Sequence, residues 1–494
     1  MGSFIINDNG NGYSRADFVS ALGGLQPLLV SGQNIKTING NSVLGSGNIE
    51  VNVTPPTPQE YPQEALLTDT EKQYRATTLA RINELNPIVN GKRKYMMFGL
   101  ISDLHTLPTK GTITAIADAD MRNDVQNILN AGILFPNWDG DGNVSDADSI
   151  VSYLKSYWPS SNSPTGYYGT SSEQDVRLLG AIAFAAGFDA VFVCGDLSDG
   201  RMTYNCYSYM LYYMKKMFDK YVTVPHFFTD GNHDRKYDNN VIRRTNTEWL
   251  KWLNLMNSNG ATYISANDTR YGDKGNTYFV DFPLRKMRAI ALSSYEGTDS
   301  IGAGYTNTPF NYNVFDALSF ENPQDAEDWS VFAFSHYNAN DSQEYLFPYY
   351  MSGGRIGDVT GRPWGASTRN VAGFMNPNKS TTNTSYQSQY DSQSKNAQYG
   401  SGYAGKAAIG CFSGHVHSVN DGFAVTVPEN DNRNLLNRIT IADAQSSGYT
   451  FSIFIIDDDE FKVRWLRYGT DMGGNVPSGF DRTAHEFTLD YRHH

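Results

Sequence analysis

The feature that most constrains the fold is an apolar run that stops abruptly at two acidic residues, Val191-Phe-Val-Cys-Gly-Asp-Leu-Ser-Asp-Gly200. The run has the length and composition of a buried strand, and Asp196 and Asp199 follow it three residues apart. Ligands of open α/β sheets bind beyond the carboxyl ends of the strands. The stretch therefore predicts an α/β fold that delivers carboxylates to a binding edge of a sheet.

An apolar run followed by polar donors occurs at four other places in the chain. In order, these are Tyr95–Ile101 before Asp103 and His105, Val222–Phe228 before Asn232 and His233, Val331–Phe334 before His336, and Ala407–Phe412 before His415 and His417. Taken singly, each donor could equally be a core histidine or a helix-capping aspartate. Five of the nine histidines fall at these positions, however, so together they predict a metal site along one rim of a sheet.

The five blocks read D-x-H, G-D-x-x-D, G-N-H-D, a lone His and G-H-x-H, and in type and order they resemble the calcineurin-like metallophosphoesterases. The resemblance implies a two-sheet α-β-β-α sandwich that hydrolyses phosphodiesters or phosphomonoesters with metal-activated hydroxide. One metal ion would be bound by Asp103, His105, Asp196 and His417, and the other by Asn232, His336, His415 and the shared Asp196. Such a mixed nitrogen and oxygen set suits Mn, Fe, Zn or Ni.

The resemblance also implies roles for residues beside the metal ligands. His233 would be the general acid for the leaving group, and Asp199 would orient it. Serine/threonine-specific phosphatases of this family carry an arginine where Gly200 stands here. The broader phosphodiesterase and phosphomonoesterase branches are therefore favoured, with Arg201 and Arg235 as predicted phosphate-binding residues.

A second metal-binding pattern lies in the long interval between Asp103 and Asp196. Residues 137–148 resemble an EF-hand calcium loop of the dockerin variety, with Gly142 at the sixth position. The predicted calcium-binding residues are Asn137, Asp139, Asp141, Asn143, Ser145 and Asp148. A helix over 150–157 would follow the loop, and one over 124–130 would precede it. The alternative is an Asp/Gly-rich turn that caps a helix without a metal ion.

The amino-terminal part differs in kind from the rest. Residues 1–53 alternate β-formers with turn signals such as Asn39-Gly40, which predicts short strands. Part of this stretch, 29–51, resembles a segment near the amino terminus of bacteriophage tail-fibre and other virion appendage proteins. It would be a virion-attachment and trimerisation segment; a generic β-rich leader is the alternative.

The remaining chain divides at a proline-rich stretch. Residues 54–90 are predicted to be a linker with a helix over about 69–86, which begins at the Thr68–Glu71 capping box. Residues 91–494 form the predicted metallophosphoesterase domain, with insertions at 106–172 and 338–406. Strand, motif and helix alternate in it, as the sandwich requires.

Composition limits the partners. A formal net charge of −13 argues against bulk binding to nucleic acid or to anionic membranes. No apolar run is long enough to span a membrane, and residues 1–14 have neither the basic region nor the apolar region expected of a signal peptide. Together, the two resemblances imply a phage tail enzyme, made in the host cytoplasm, that acts on a phosphorylated host surface polymer or a small phosphoester. The alternatives are a catalytically silent tail or receptor-binding protein, and a free phosphodiesterase or nuclease.

Overall fold

The computed structural model divides into two compact units, Met1–Glu60 and Tyr61–His494. It describes residues 7–8, 11–12, 37–38, 41–42, 60–137, 142–160, 171–198, 203–237, 242–243, 245–263, 276–293, 329–336, 407–415, 424–426, 436–440, 449–468 and 485–491. In the first unit Asn7–Asp8 pairs antiparallel with Asn11–Gly12, and Thr37–Ile38 pairs with Asn41–Ser42. The second pair flanks Asn39-Gly40.

Thirteen strands in the described part of the second unit form two sheets. In chain order they are β1 Met96–Ile101, β2 Ala190–Val193, β3 His226–Phe228, β4 Ala261–Tyr263, β5 Tyr278–Phe282, β6 Met287–Leu292, β7 Ser330–Ser335, β8 Ala407–Ser413, β9 Ala424–Thr426, β10 Leu436–Thr440, β11 Phe451–Asp457, β12 Lys462–Tyr468 and β13 His485–Asp490. The first sheet has the order β3-β2-β1-β11-β12-β13, and the second has the order β4-β5-β6-β7-β8-β10-β9. In the first sheet β1, β2 and β3 are parallel, and in the second β6, β7, β8 and β10 are parallel.

Seven α-helices lie between the described strands or precede them. They are α1 Asp69–Leu85, α2 Lys110–Ala115, α3 Asp118–Asn130, α4 Ala147–Tyr157, α5 Ser171–Ala186, α6 Tyr204–Tyr221 and α7 Asn246–Met256. The predicted capping box of α1 is present, with Thr68 accepting from the Glu71 backbone. Buried Glu71 also accepts from Arg177 of α5 at 2.7 Å, so α1 packs against α5. No helix in the described part of the chain has the length and apolar composition needed to cross a membrane.

Phenylalanine side chains form the centre of the core between the sheets. Phe98 of β1 is stacked on Phe332 of β7, with ring centroids 4.8 Å apart, and meets Phe412 of β8 edge-on. Phe192 of β2 contacts Phe334 of β7 at 4.4 Å. All five side chains are fully buried. The described helices flank the first sheet through α5 and α7, and the predicted α/β two-sheet sandwich is confirmed.

Candidate metal centre

The predicted donors meet where the parallel strands of both sheets end. Val193 of β2 is in register with Ile101 of β1 and Phe228 of β3, so the loops after these strands begin at one edge. Backbone hydrogen bonds join two of the loops: the Asp103 amide donates to Gly195 O at 3.1 Å, and the His105 amide donates to Asp196 O at 3.0 Å. Loops far apart in sequence are therefore held side by side.

Backbone strain is concentrated at the same loops. Four of the seven non-glycine residues with positive φ in the described ranges are predicted ligands: Asp103 at 53°, His105 at 40°, Asp196 at 50° and His415 at 73°. Left-handed conformations cost free energy for such residues and persist where the surroundings enforce them, often at functional sites. The strain therefore indicates that the fold holds these residues in unfavourable backbone conformations in order to point their side chains into the cluster.

Asp196 lies at the centre of the cluster. The Asp196 carboxylate belongs to two groups of possible metal ligands, one with His105 and His233 and the other with His336 and His415. Within each group the ligand atoms lie within 4.8 Å of one another. Asp196 Oδ1 accepts from the His233 amide at 2.8 Å. Asp196 Oδ2 is buried, makes no hydrogen bond of acceptable geometry among the described residues, and lies 3.3 Å from His336 Nε2 and 3.6 Å from His105 Nε2. A carboxylate in this position can serve two cations.

The His336 ring is oriented by its other nitrogen. Nδ1 lies 2.8 Å from the Cys194 carbonyl, which accepts a hydrogen bond from Nδ1–H. The Nε2 lone pair therefore faces the cluster. Nε2 then lies 3.0 Å from Asn232 Oδ1, 3.1 Å from His415 Nδ1 and 3.3 Å from Asp196 Oδ2. One ring nitrogen cannot form three good hydrogen bonds at once, whereas ligands that share a cation lie about 3.0–3.4 Å apart when each bond is about 2.1 Å. The donor set therefore fits a divalent metal ion.

Electrostatics favour bound positive charge in this cluster. Burial opposes the ionisation of Asp196, yet His336, His105 and His233 hold the pKa of its carboxyl below the usual range. Burial also opposes a charged His336, but the Asp196 and Asp103 carboxylates raise the pKa of this imidazole to about 10. The lowered pKa of Asp196 and the raised pKa of His336 both indicate a pocket that attracts cations, whether protons or metal ions.

The cluster is open on one side. Asp103, His105, Asp196 and His336 are at most 1% exposed, whereas His415 and His233 are half-buried. The His233 ring meets the His105 ring edge-on at 4.7 Å. A substrate can therefore approach from the His233 side without displacing the buried ligands.

Asp234, which was not among the predicted site residues, joins two of the loops of the first sheet. Its carboxylate accepts from the Leu197 amide and from the Gly231 amide, both at 2.9 Å. Burial and the charge of Asp196 raise the pKa of Asp234 to about 7. Gly231 has a related role, because a Cβ there would overlap the Asp196 carboxylate. Both residues lie inside the G-N-H-D block, which was the available signal.

Six of the seven predicted transition-metal ligands come together in the described structure. They are Asp103, His105, Asp196, Asn232, His336 and His415. His417, Asp199 and Arg201 lie outside the described residues, as does the insertion 338–406.

The placement of Arg235 does not fit the predicted phosphate contact. The residue is 1% exposed, and its guanidinium donates to Asp230 Oδ2 at 2.7 Å and to Asn246 Oδ1. An arginine bound in this way cannot turn toward a substrate without breaking a buried ion pair. The apolar run before Asp230 indicated a strand end but not which arginine would stay accessible.

The predicted calcium loop is only partly described, since Asp139 and Asp141 lie outside the described residues. Phe135–Pro136 pairs antiparallel with Asn143–Val144, and the Asn137 amide donates to Gly142 O at 2.9 Å. Ser145 is exposed, and the helix that follows begins at Ala147 with Asp146 as its N-cap. Asp148, in the first turn of that helix, forms an exposed ion pair with Arg122.

Sequence comparison agrees with this geometry. The profile of the calcineurin-like phosphoesterase family matches residues 96–350, and the chain belongs to that family. It is therefore a metal-dependent phosphoric ester hydrolase. A comparison with curated proteins found no match. Among solved structures, a dimetal phosphatase from Danio rerio is similar at 12% identity and a TM-score of 0.38, covering 81% of this chain and 99% of that one.

Proposed function

We propose that the protein hydrolyses phosphodiesters or phosphomonoesters with two divalent transition-metal ions, Mn, Fe, Zn or Ni, bound at the Asp196 cluster. The observation that carries this proposal is the shared position of Asp196 between two groups of donors. Bound cations would activate the attacking water and neutralise charge on the phosphoryl group. Asp103, His105, Asp196 and His417 would hold one ion, and Asn232, His336, His415 and Asp196 the other.

The protein's own residues orient the reaction. His336 is held by the Cys194 carbonyl, and Asp196 is held by the His233 amide, so both donors keep their direction when substrate binds. Half-buried His233 stands at the open side, where it can give a proton to the leaving oxygen. Asp199 would orient its ring, and Arg201 would bind the phosphate.

Replacing His233 tests whether it is the general acid or a third donor for the first ion. We expect His233→Ala to lower the hydrolysis of a glycerophosphodiester, whose leaving alkoxide needs a proton, by about 10²–10⁴-fold. The loss on bis-p-nitrophenyl phosphate should be much smaller, because p-nitrophenolate leaves without a proton. Initial rates with added Mn²⁺ measure both substrates.

The matched control is His226→Ala, at the amino end of β3, the end opposite the metal cluster. It should leave the ratio of the two rates as in the wild type. Equal losses on both substrates in His233→Ala would assign His233 to metal binding instead. No Mn²⁺-dependent hydrolysis of either substrate by the wild type would remove the enzymatic proposal and favour a binding role.

We further propose that residues 137–148, within the 106–172 insertion, bind a structural calcium ion. Asp148 sits in the first turn of α4, as the EF-hand pattern requires, although it would have to exchange Arg122 for the ion. We expect EGTA to lower the melting temperature of the wild type and to leave that of Asp141→Ala unchanged. A wild-type melting temperature that changes with neither EGTA nor added Ca²⁺ would favour the capped turn without metal.

The cellular setting is proposed from the amino-terminal segment. Its resemblance to virion appendage proteins suggests an enzyme carried on a phage tail, bound to tail proteins and trimeric, with a phosphorylated host surface polymer as substrate. Mass spectrometry and immunogold labelling of purified particles test this setting. Absence of the chain from particles would favour a free phosphodiesterase.

A further inference from the structure

A buried ion pair closes the loop that carries Asn232 and His233. Arg235 Nε donates to Asp230 Oδ2 at 2.7 Å, and the two side chains are 2% and 1% exposed. The pair brackets Gly231 to Asp234, so it holds together the two ends of this loop. We propose that Arg235 is a positioning residue that sets Asn232 against the ligands of the second sheet, an inference that rests on the proposed two-metal function.

The first step of the argument is that Asp230 is tied to the second sheet. The Ser293 hydroxyl donates to Asp230 Oδ2 at 3.0 Å, the same oxygen that accepts from Arg235. Ser293 directly follows β6, and the last residue of β6, Leu292, is in register with Ser335 at the end of the parallel strand β7. The next residue after Ser335 is the ligand His336. The loop that carries Asn232 is therefore bonded to the end of β6, the strand next to β7, which leads into the ligand His336.

The second step is that Arg235 makes a further anchor of its own. Its Nη2 donates to Asn246 Oδ1, which also accepts from Asn276 Nδ2 at 3.0 Å. Asn246 begins α7, and Asn276 lies shortly before β5 of the second sheet. A guanidinium can reach both Asp230 and Asn246 because its donors diverge in a rigid fork, which a lysine ammonium cannot reproduce.

The distance that these anchors would control is the one between Asn232 and His336. Asn232 Oδ1 and His336 Nε2 are 3.0 Å apart and come from different sheets, and one cation would bind both. Residues that orient metal ligands in this way change metal affinity about 10- to 100-fold when they are replaced. An ion pair that served stability alone would affect folding without selecting one of the two metal sites.

Arg235→Lys tests the proposal with Mn²⁺ alone as the probe. The charge opposite Asp230 is kept, but the fork is lost. We expect one of the two Mn²⁺ binding events in calorimetric titration to weaken about 10- to 100-fold, while the other is unchanged. The electron paramagnetic resonance signal of a coupled Mn²⁺ pair should weaken in parallel.

The matched control is Arg288→Lys. Arg288 is another buried arginine, 5% exposed, and its guanidinium donates to Asp281 Oδ1 at 2.7 Å. The two residues lie on the neighbouring strands β5 and β6, not among the predicted metal ligands. Arg288→Lys should lower the melting temperature without changing either Mn²⁺ affinity. Ser293→Ala removes a single hydrogen bond to Asp230 and should weaken the same binding event about three- to tenfold, which keeps the proposal testable if Arg235→Lys fails to fold.

Three results would count against the proposal. Wild-type Mn²⁺ affinities in Arg235→Lys would overturn it, as would an equal weakening of both binding events. Two intact binding events in Ser293→Ala would overturn it as well. A wild-type protein that binds fewer than two Mn²⁺ ions would instead overturn the proposed function on which the inference rests.

Discussion

Asp196→Asn is expected to abolish the two-metal centre and to lower phosphoester hydrolysis by about 10³-fold or more, since bound cations contribute several kcal/mol of transition-state stabilisation. Asp196 belongs to both donor groups, and its Oδ2 faces His336 and His105 at 3.3 and 3.6 Å. An asparagine offers one oxygen and no charge, so it can serve one cation at most. Its oxygen can still accept from the His233 amide, and the loops should therefore keep their arrangement.

Metal analysis and initial rates on the same samples check this prediction. We expect bound metal to fall from two ions per chain to one or none. Asp189→Asn is the matched control, because Asp189 precedes the same strand, β2, at its other end, where it accepts from Arg285 and from the Met97 amide at 2.9 Å each. It should keep both ions and full activity. Two bound ions and wild-type rates in Asp196→Asn would refute a shared carboxylate.

The site was predictable from the sequence because each donor follows an apolar strand directly. Asp103, Asp196 and His336 lie one or more residues beyond β1, β2 and β7, and parallel strands necessarily bring such positions to one edge. The type and order of the motifs then carried the resemblance to the family, which implied the pairing of donors. Six predicted ligands are accordingly found together.

Positions set by contacts across the sandwich could not be predicted in this way. Arg235 follows the motif closely enough to suggest phosphate binding, but Asp230, Ser293 and Asn246, which surround it, come from three separate parts of the chain. Asp234 is similar, because its role depends on the Leu197 amide in another loop. Local sequence shows a charged residue near a site, whereas only the packed fold shows whether that charge faces substrate or protein.

The packing between the sheets carries the second large prediction, which concerns stability. Phe98 of β1 is fully buried, stacked on Phe332, and in edge or tilted contact with Phe192, Phe412 and Phe454 at 5.3–5.4 Å. Its ring therefore touches both sheets. We expect Phe98→Ala to lower the free energy of unfolding by about 3–5 kcal/mol, because it removes buried apolar surface and leaves a cavity between stiff layers.

Urea unfolding measures this effect, with Leu284→Ala as the control. Leu284 is 87% exposed, so its truncation should change stability by less than about 0.5 kcal/mol.

β1 also leads directly into Asp103, and a cavity beneath it should loosen the first metal site before the protein unfolds. Excess Mn²⁺ should therefore restore part of the lost stability, since binding to the folded state alone shifts the equilibrium toward it. A loss below about 1 kcal/mol in Phe98→Ala would mean that the two sheets are held together elsewhere, because such a loss is far smaller than a cavity of this size costs.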